Sequence, residues 1–427
     1  MTSPPGPECR ELRGAHQAQV VIIGAGYTGL SAALQLADAG RDVMVLEAAQ
    51  LGERASGLNG GQVIPGVKHD PDALEAMFGT AAGARLVDIA AAGPDLVFEL
   101  ISRHQIPCDA TRTGWIQPAT SPAALEQLAR RVEQWQRRGA PVELLTRAET
   151  ARLTGSDRYC GGLLDLRGGN LQPLAYVRGL AFAALAAGAK IHTGSRAVRL
   201  SRRTGDWHVE TPVGSVSAPL VIVATNAYTD AVSDALRRSL VCVPSFQVAT
   251  APLTAALRRT ILPGGQAASD TWRLLRYFRL DAGGRLVLGA RGTFASVPTV
   301  RTVQYHYRAV HEIYPQLRGI AFEYHWGGMV AMTRDHLPHL HELAPGLLAG
   351  VGYNGRGIAM ATTMGRLLAR RALGAPASEL GFPLTPLRTV PFHAVSRLGV
   401  RAAIHYLRLA DSLAGLRSRG ARAPSAA

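Results

Sequence analysis

The chain is almost without lysine. Only Lys68 and Lys190 occur in its 427 residues, so 46 basic residues minus 2 leaves 44 arginines. Such a skew tracks genome composition and is not in itself a binding signal. The formal charge is +15, and residues 385–427 hold seven arginines against one acid, Asp411, so 7 − 1 = 6 of those charges lie there. A basic tail of this kind suits peripheral contact with acidic lipid or with nucleic acid. A solvated arginine-rich end is the plainer reading. Cysteine is scarce too: Cys9, Cys108, Cys160 and Cys242 stand singly, none at metal-ligand spacing, so no metal site is expected. No apolar run reaches the roughly eighteen residues that cross a bilayer. No signal peptide precedes the first strand, and residues 1–16, with Pro4, Pro5 and Pro7, read as a loose leader. These absences describe a reduced, cytoplasmic protein with room for two domains.

What the chain has is glycine, grouped in three places. The first group organises the rest. Val20-Val21-Ile22-Ile23 is a short β-branched run that suits a buried strand. Gly24-Ala25-Gly26-Tyr27-Thr28-Gly29 follows, then Leu30, Ala33, Leu34 and Ala37 at helical spacing, with Gly40 as the stop. Arg41 to Leu46 reads as a second strand ending at Glu47, 18 residues beyond Gly29. Strand, glycine turn, helix and strand make a dinucleotide-binding βαβ unit. Gly24 allows the tight turn, Gly26 lets a pyrophosphate approach the backbone, and Gly29 lets the helix lie close to the strand. The phosphates then meet free N–H groups at the positive helix end. A carboxylate at Glu47 accepts from ribose hydroxyls and repels a 2′-phosphate, which favours FAD or NAD over NADP. A glycine turn in an ordinary α/β protein is the bland alternative.

The second group is Ala55 to Gly66, where Ser56, Asn59 and Gln62 offer hydrogen bonds among small residues that let a flat ring pass. The third is Gly346 to Ile358, read as a glycine loop feeding a helix from Ala359 to Arg371. Between them the spacing predicts helix over 71–105, an edge strand at Trp115–Pro118, helix over 121–139 and a turn-rich crossing at 160–171. A helix over 173–187 and a buried strand at Leu220–Ala224 follow. From Val241 the pattern turns to strands, with a hairpin on Asp281-Ala282-Gly283-Gly284. Residues 394–416 read as a helix with Arg397, Arg401 and Arg408 in a narrow stripe, able to pack on the body or lie on a membrane surface.

The segments 20–30, 55–62, 221–229, 277–292, 326–340 and 350–359, in that order, give the chain its resemblance to the FAD-dependent amine and amino-acid oxidoreductases of the D-amino-acid oxidase superfamily. Within it the chain looks most like the gamma-glutamylputrescine oxidoreductase branch. The resemblance implies an α/β fold, with a Rossmann-like FAD-binding domain of the glutathione-reductase type at 17–95, 168–240 and 324–384. It implies an α+β substrate domain on a mainly antiparallel sheet at 96–167 and 241–323, and a basic tail at 385–427. FAD would be held by Gly24, Gly26, Gly29 and Glu47. Ser56, Asn59, Gly60, Gly61 and Gln62 would line the path to its ring, Val198 would touch the adenosine half, and Ala224 and Asn226 would close the nucleotide site. Gly352, Gly355, Arg356, Gly357 and Ile358 would run past the pyrimidine edge, where N–H groups, the helix dipole and Arg356 stabilise negative charge. Two departures stand out. Leu58 replaces an arginine common in this branch, and Gly327-Gly328 stands where relatives with covalent flavin carry cysteine, so non-covalent FAD is expected.

The expected chemistry is oxidation of the C–N bond of an amine or amino acid. An amine in water is mostly protonated near pH 7 (reference pKa about 10.4), so a local acceptor would help, and His325 and Tyr277 are candidates beside Trp326. Arg276, Arg279 and Arg291 lie on predicted substrate-domain strands and suit a carboxylate. Strand alternation puts Arg276 and Arg279 on opposite faces, so at most one enters the cavity. Some relatives activate oxygen with a lysine near N5; no lysine occurs in the C-terminal half. Oxygen or an electron carrier therefore both remain as acceptors. A flavoprotein acting on tRNA, prompted by the arginine excess, and a non-catalytic flavin-binding protein are the competing readings.

Overall fold

A computed structural model describes residues 3–230, 232–294, 298–393 and 399. The expected helix over 394–416, with its arginine stripe, lies outside the described residues.

The nucleotide unit forms as its residue types require. Val20–Ile23 and Val43–Leu46 are both buried throughout and pair in parallel. They sit in a six-stranded sheet ordered His339–Ala344, Leu347–Val351, Leu220–Val223, Val20–Ile23, Val43–Leu46, Lys190–His192. Every neighbouring pair is parallel except the first. Strands apolar on both faces need both faces covered. Ile22, Val45, Ile222 and Leu348 pack on the helices Tyr27–Asp38, Pro173–Ala186 and Gly357–Ala372. Their neighbours Val21, Ile23, Met44, Val221 and Ala349 face the other way, onto Leu12, Val209 and Val216. The last two belong to a four-stranded sheet of Gly14–Gln17, Gly214–Ala218, Asp206–Glu210 and Arg199–Arg203. Each such aliphatic side chain, fully buried, contributes about 1.5–3 kcal/mol.

An eight-stranded, largely antiparallel sheet forms the second body. Its order is Phe322–Met332, Val241–Pro252, Arg285–Arg291, Tyr277–Leu280, Ala267–Ser269, Trp115–Ala119, Gly161–Asp165, Val142–Leu145. The helix Gln304–Ile313 covers one face through Val310 and Ile313, against Phe246, Val248 and Leu288.

Five expectations change here. Trp115–Ala119 is interior, not an edge. Pro118 is tolerated because Ala267–Ser269 pairs only with Trp115 and Ile116, leaving the strand unpaired on that side beyond them. The expected crossing at 160–171 contains a fully buried strand, Gly161–Asp165. The first half of the third glycine group is also a strand, Leu347–Val351: Gly346 and Gly352, both at positive φ, bound it and do not form a loop. Residues 3–13 are no loose leader, since Leu12 is fully buried and its N–H donates to Ser195 Oγ at 2.8 Å. Finally, a domain boundary at 324 would cut the strand Phe322–Met332, which pairs with Val241–Pro252 along nearly its whole length. Among the described residues, no helix is long and apolar enough to cross a membrane.

Candidate active site

One long cavity joins the two bodies. It offers about 320 Å³ to the centres of water-sized molecules and runs from the first glycine turn to the eight-stranded sheet.

At one end, Gly24 turns at φ +105°, and a Cβ there would lie 3.0 Å from the Ala224 carbonyl oxygen. A Cβ on Gly26 would meet Ser56 Oγ at 2.9 Å, and one on Gly29 would lie 1.9 Å from the Gly24 carbonyl oxygen. Gly29 is thus a packing glycine beneath the turn, while Gly24 and Gly26 face the cavity. Glu47 also lines it: Oε2 accepts from Ala25 N at 2.8 Å and Oε1 from Ala49 N at 3.0 Å. Ala224 and Asn226 lie at the C-terminal edge of the sheet, and Asn226 Oδ1 accepts from Gly352 N at 2.9 Å. This end fits a dinucleotide diphosphate: bare backbone, a helix N-terminus and a carboxylate at the next strand's end.

The second glycine group holds itself in shape. Asn59 Nδ2 donates to the Ser56 carbonyl at 2.9 Å, while its Oδ1 accepts from Gly61 N at 2.9 Å. Gln62 is tied to the eight-stranded sheet, donating to the Ala268 carbonyl at 2.8 Å and accepting from Ser269 Oγ at 2.6 Å. Ser56, Asn59, Gly60 and Gln62 line the cavity, as does Leu58, and Gly61 lies just behind. The third group enters from the opposite side. A Cβ on Gly355 or Gly357 would meet nothing within 4 Å, and the helix Gly357–Ala372 begins there without a side-chain cap, so its first N–H groups open on the cavity. Ile358 lines it too. The Arg356 guanidinium donates to the Pro65 carbonyl and lies 5.5 Å from the Trp115 ring centroid. Gly352, with Thr333 Cγ2 at 2.3 Å from a would-be Cβ, is a packing glycine outside the lining.

Register on the eight-stranded sheet composes the far wall. Tyr277 pairs with Gly289, Gly289 with Gln247, and Ser245 with Arg291. Side chains on one face of paired strands become neighbours. The Tyr277 ring lies over Gly289 and against Gly60, and a Cβ on either glycine would strike it at 2.2 or 2.6 Å. Its hydroxyl sits 2.7 Å from Ser245 Oγ and accepts from Gln247 Nε2 at 2.6 Å. Burial pushes the phenol up, so Tyr277 is a hydrogen-bonding group and not a base at neutral pH. Arg291 lines the same wall and donates to Met332 Sδ at 3.7 Å.

Several sequence candidates lie elsewhere. His325 is exposed and pairs with Val248, whose side chain faces the apolar core on the opposite side of the sheet from Gln247, so His325 points away from the cavity. Trp326 abuts the wall, but its indole N–H is spent on the Leu58 carbonyl at 3.2 Å. Arg279 shares the face of Tyr277 one pleat further on, buried under the second loop with Nε donating to the Gly60 carbonyl at 2.8 Å. It holds the loop and does not line the cavity. Arg276, on the other face, is buried in an ion pair with Asp270. Val198 is exposed, while its neighbours Arg196 and Ala197 line the nucleotide end.

One residue was missed. Lys68 lines the cavity. Its signal in the sequence was rarity: one of two lysines, six residues after Gln62.

Comparison with known proteins agrees with this geometry. Residues 19–371 match the family described as FAD dependent oxidoreductase, DAO. The chain is 35% identical over 358 residues to the gamma-glutamylputrescine oxidoreductase of Escherichia coli (strain K12), covering 83% of each chain. It is 32% identical over 411 residues to a protein named probable oxidoreductase OrdL of Rhizobium meliloti, covering 96% of this chain and 94% of that one. The crystal structure of glycine oxidase from Geobacillus kaustophilus superposes with a TM-score of 0.72 at 22% identity, over 88% of this chain and 99% of that one, which shows the shared fold. The chain belongs to the DAO family of FAD-dependent oxidoreductases, enzymes that act on amines or amino acids.

Proposed function

We propose that this enzyme oxidises the C–N bond of a primary or secondary amine or an amino acid, and that a γ-glutamylputrescine-like compound is the favoured substrate. FAD, held without a covalent link, would supply the two-electron acceptor for the hydride of the α-carbon, and the imine product would hydrolyse in water. Gly24, Gly26 and the N-terminus of Tyr27–Asp38 hold the diphosphate, Glu47 the ribose. Gly60 and Gln62 on one side, and Gly355, Gly357 and Ile358 on the other, receive the ring.

The observation that carries the reading is the polarity of the cavity. Among the described residues, its lining carboxylates are Glu47 and Asp230, both at the nucleotide end, and Asp230 is paired with Arg196. Arg54, Lys68, Arg291 and Arg356 also line it, so among the described residues the wall away from Glu47 and Asp230 carries cations and no carboxylate. A substrate carboxylate suits such a cationic wall. Tyr277, fixed between Ser245 and Gln247, orients the substrate nitrogen. The 35% identity to the gamma-glutamylputrescine oxidoreductase supports the substrate class. Electrons then pass to oxygen or to a carrier.

The test is an anaerobic spectral screen of the yellow protein with putrescine, γ-glutamylputrescine, sarcosine, glycine and D-amino acids. Bleaching is expected fastest with γ-glutamylputrescine and about tenfold or more slower with putrescine, which lacks the carboxylate. A flavin that stays oxidised with every amine removes the reading.

A further inference from the structure

We propose that Lys68 takes the ammonium proton of the substrate, making the amine neutral within the enzyme. The inference rests on the amine-oxidising reading above.

Placement comes first. Lys68 follows the short strand Gln62–Val63, which is tied to Gly169–Asn170. Its neighbours Val67 and His69 face a small second cavity with Asp70 and Arg131, while Lys68 turns into the main one. It makes no hydrogen bond or ion pair with another described residue. A lysine kept as a cation in such a place ordinarily has an acid beside it. Here the nearby acids are taken: Asp70 binds Arg131 at 2.5 Å, and Asp165 binds Arg167 at 2.7 Å.

The charged groups facing Lys68 are all of its own sign. They are Arg356 before the last helix, Arg291 at its strand's end, and Arg131 on the helix Pro122–Gln136. Desolvation first, then these three guanidinium groups, lower the lysine to about 7. A share of the Lys68 side chains is then neutral, with a free lone pair, near pH 7.

Elimination leads to the same residue. Among the described residues, no histidine lines the cavity. Arginine does not deprotonate, and burial raises the lining phenols of Tyr27, Tyr228, Tyr277 and Tyr353, which keep their protons. The two carboxylates stand at the nucleotide end. Lys68 is the remaining acceptor on the substrate side.

The step balances by itself. The substrate N–H bond breaks, its electron pair stays on nitrogen, and the proton forms a new N–H bond at Nζ of Lys68. The neutral amine keeps the lone pair that the forming C=N bond needs. The Lys68 ammonium afterwards returns its proton to water.

The test uses the FAD-loaded full chain and has two readouts. In the first, lysines are reductively methylated with ¹³C-formaldehyde and followed by NMR, with Lys190→Arg leaving Lys68 as the only lysine. Its signal is expected to titrate near pH 7; a midpoint above 9 overturns the proposal. In the second, the limiting rate of anaerobic bleaching is measured from pH 5.5 to 10. In the wild type it should fall about tenfold per unit below pH 7. Lys68→Met should be about 10²- to 10³-fold slower at pH 7, with a rate that climbs on past pH 9 as free amine accumulates in solution. Lys68→Arg, which keeps the charge, should show the same loss, and it covers a failure of Lys68→Met to fold. An unchanged rate and profile in either variant overturns the proposal, whatever happens on reoxidation. A wild type that no amine bleaches would instead remove the amine reading, and the NMR titration would still report on Lys68.

Discussion

Replacing Arg276 by methionine separates a structural arginine from a substrate-binding one. Arg276 Nε lies 2.6 Å from Asp270 Oδ2, with 3% and 0% of the two side chains exposed. Asp270 also accepts from Arg276 N at 2.9 Å, and Arg276 Nη1 reaches Glu312 Oε2 at 3.2 Å. Burial pushes the Asp270 carboxyl up, with the guanidinium opposing that rise. Arg276→Met keeps the volume and leaves a buried carboxylate with backbone donors alone, which costs about 3–5 kcal/mol. With unfolding entropy of about 2.1 cal/mol/K per residue, a chain of this size loses roughly 3–6 °C in melting temperature. The double variant Asp270→Leu with Arg276→Met removes both charges and should recover most of that loss. Calorimetry on the three proteins, with flavin content and anaerobic bleaching measured alongside, reads the outcome. Bleaching constants should stay within about twofold of wild type, since Arg276 does not line the cavity. A single variant that melts normally but loses affinity for carboxylate-bearing amines would refute the argument.

Other substitutions probe other parts. Tyr277→Phe removes the hydroxyl shared by Ser245 and Gln247; the anaerobic bleaching rate should fall about ten- to a hundredfold, with flavin content unchanged. Gly29→Ala puts a Cβ against the Gly24 carbonyl, so the protein should purify with less flavin, seen as a lower ratio of visible to ultraviolet absorbance. His341 is buried, donates Nδ1–H to the Thr385 carbonyl at 2.6 Å, and is held down to about 4 by burial. Its folded value lies below the unfolded one near 6.5, so its stability contribution is present above that pH and is lost as pH falls from about 6.5 to 4, by roughly 3 kcal/mol. His341→Gln should flatten that part of the melting-temperature curve.

The local chemistry of the nucleotide unit was legible because it is contiguous. Strand, turn, helix stop and acid follow one another within 28 residues, and each type answers a backbone or charge requirement. The interior strands Gly161–Asp165 and Leu347–Val351 were obscured by flanking glycines, which punctuate strands as readily as they make loops. The placement of Arg279, His325 and Lys68 depends on register and on which loop covers which strand. Period-2 alternation tells two faces apart but does not say which one holds the cavity. Tyr277 and Arg279 share a face, yet only Tyr277 lines the cavity, because Gly60 and Gly61 sit over the arginine.

The division of charge along the cavity has a physical logic. An adenine dinucleotide brings its own anionic diphosphate, so that end is met by bare N–H groups and a carboxylate for ribose hydroxyls, while its arginine, Arg196, is already paired with Asp230. On the proposed reading, the reacting end would gain negative charge as electrons arrive and would host a carboxylate-bearing substrate. Fixed guanidinium groups at Arg291 and Arg356 serve both needs at once. Those same groups discourage a cationic amine from entering beside them. An enzyme that surrounds its amine with arginines therefore gains from a proton acceptor whose own pKa the arginines have already lowered. On the two proposals above, the cations facing the carboxylate and the lysine taking the proton form one electrostatic arrangement, and neutralising Arg291 by Arg291→Met should move the Lys68 titration upward as well as weaken substrate binding.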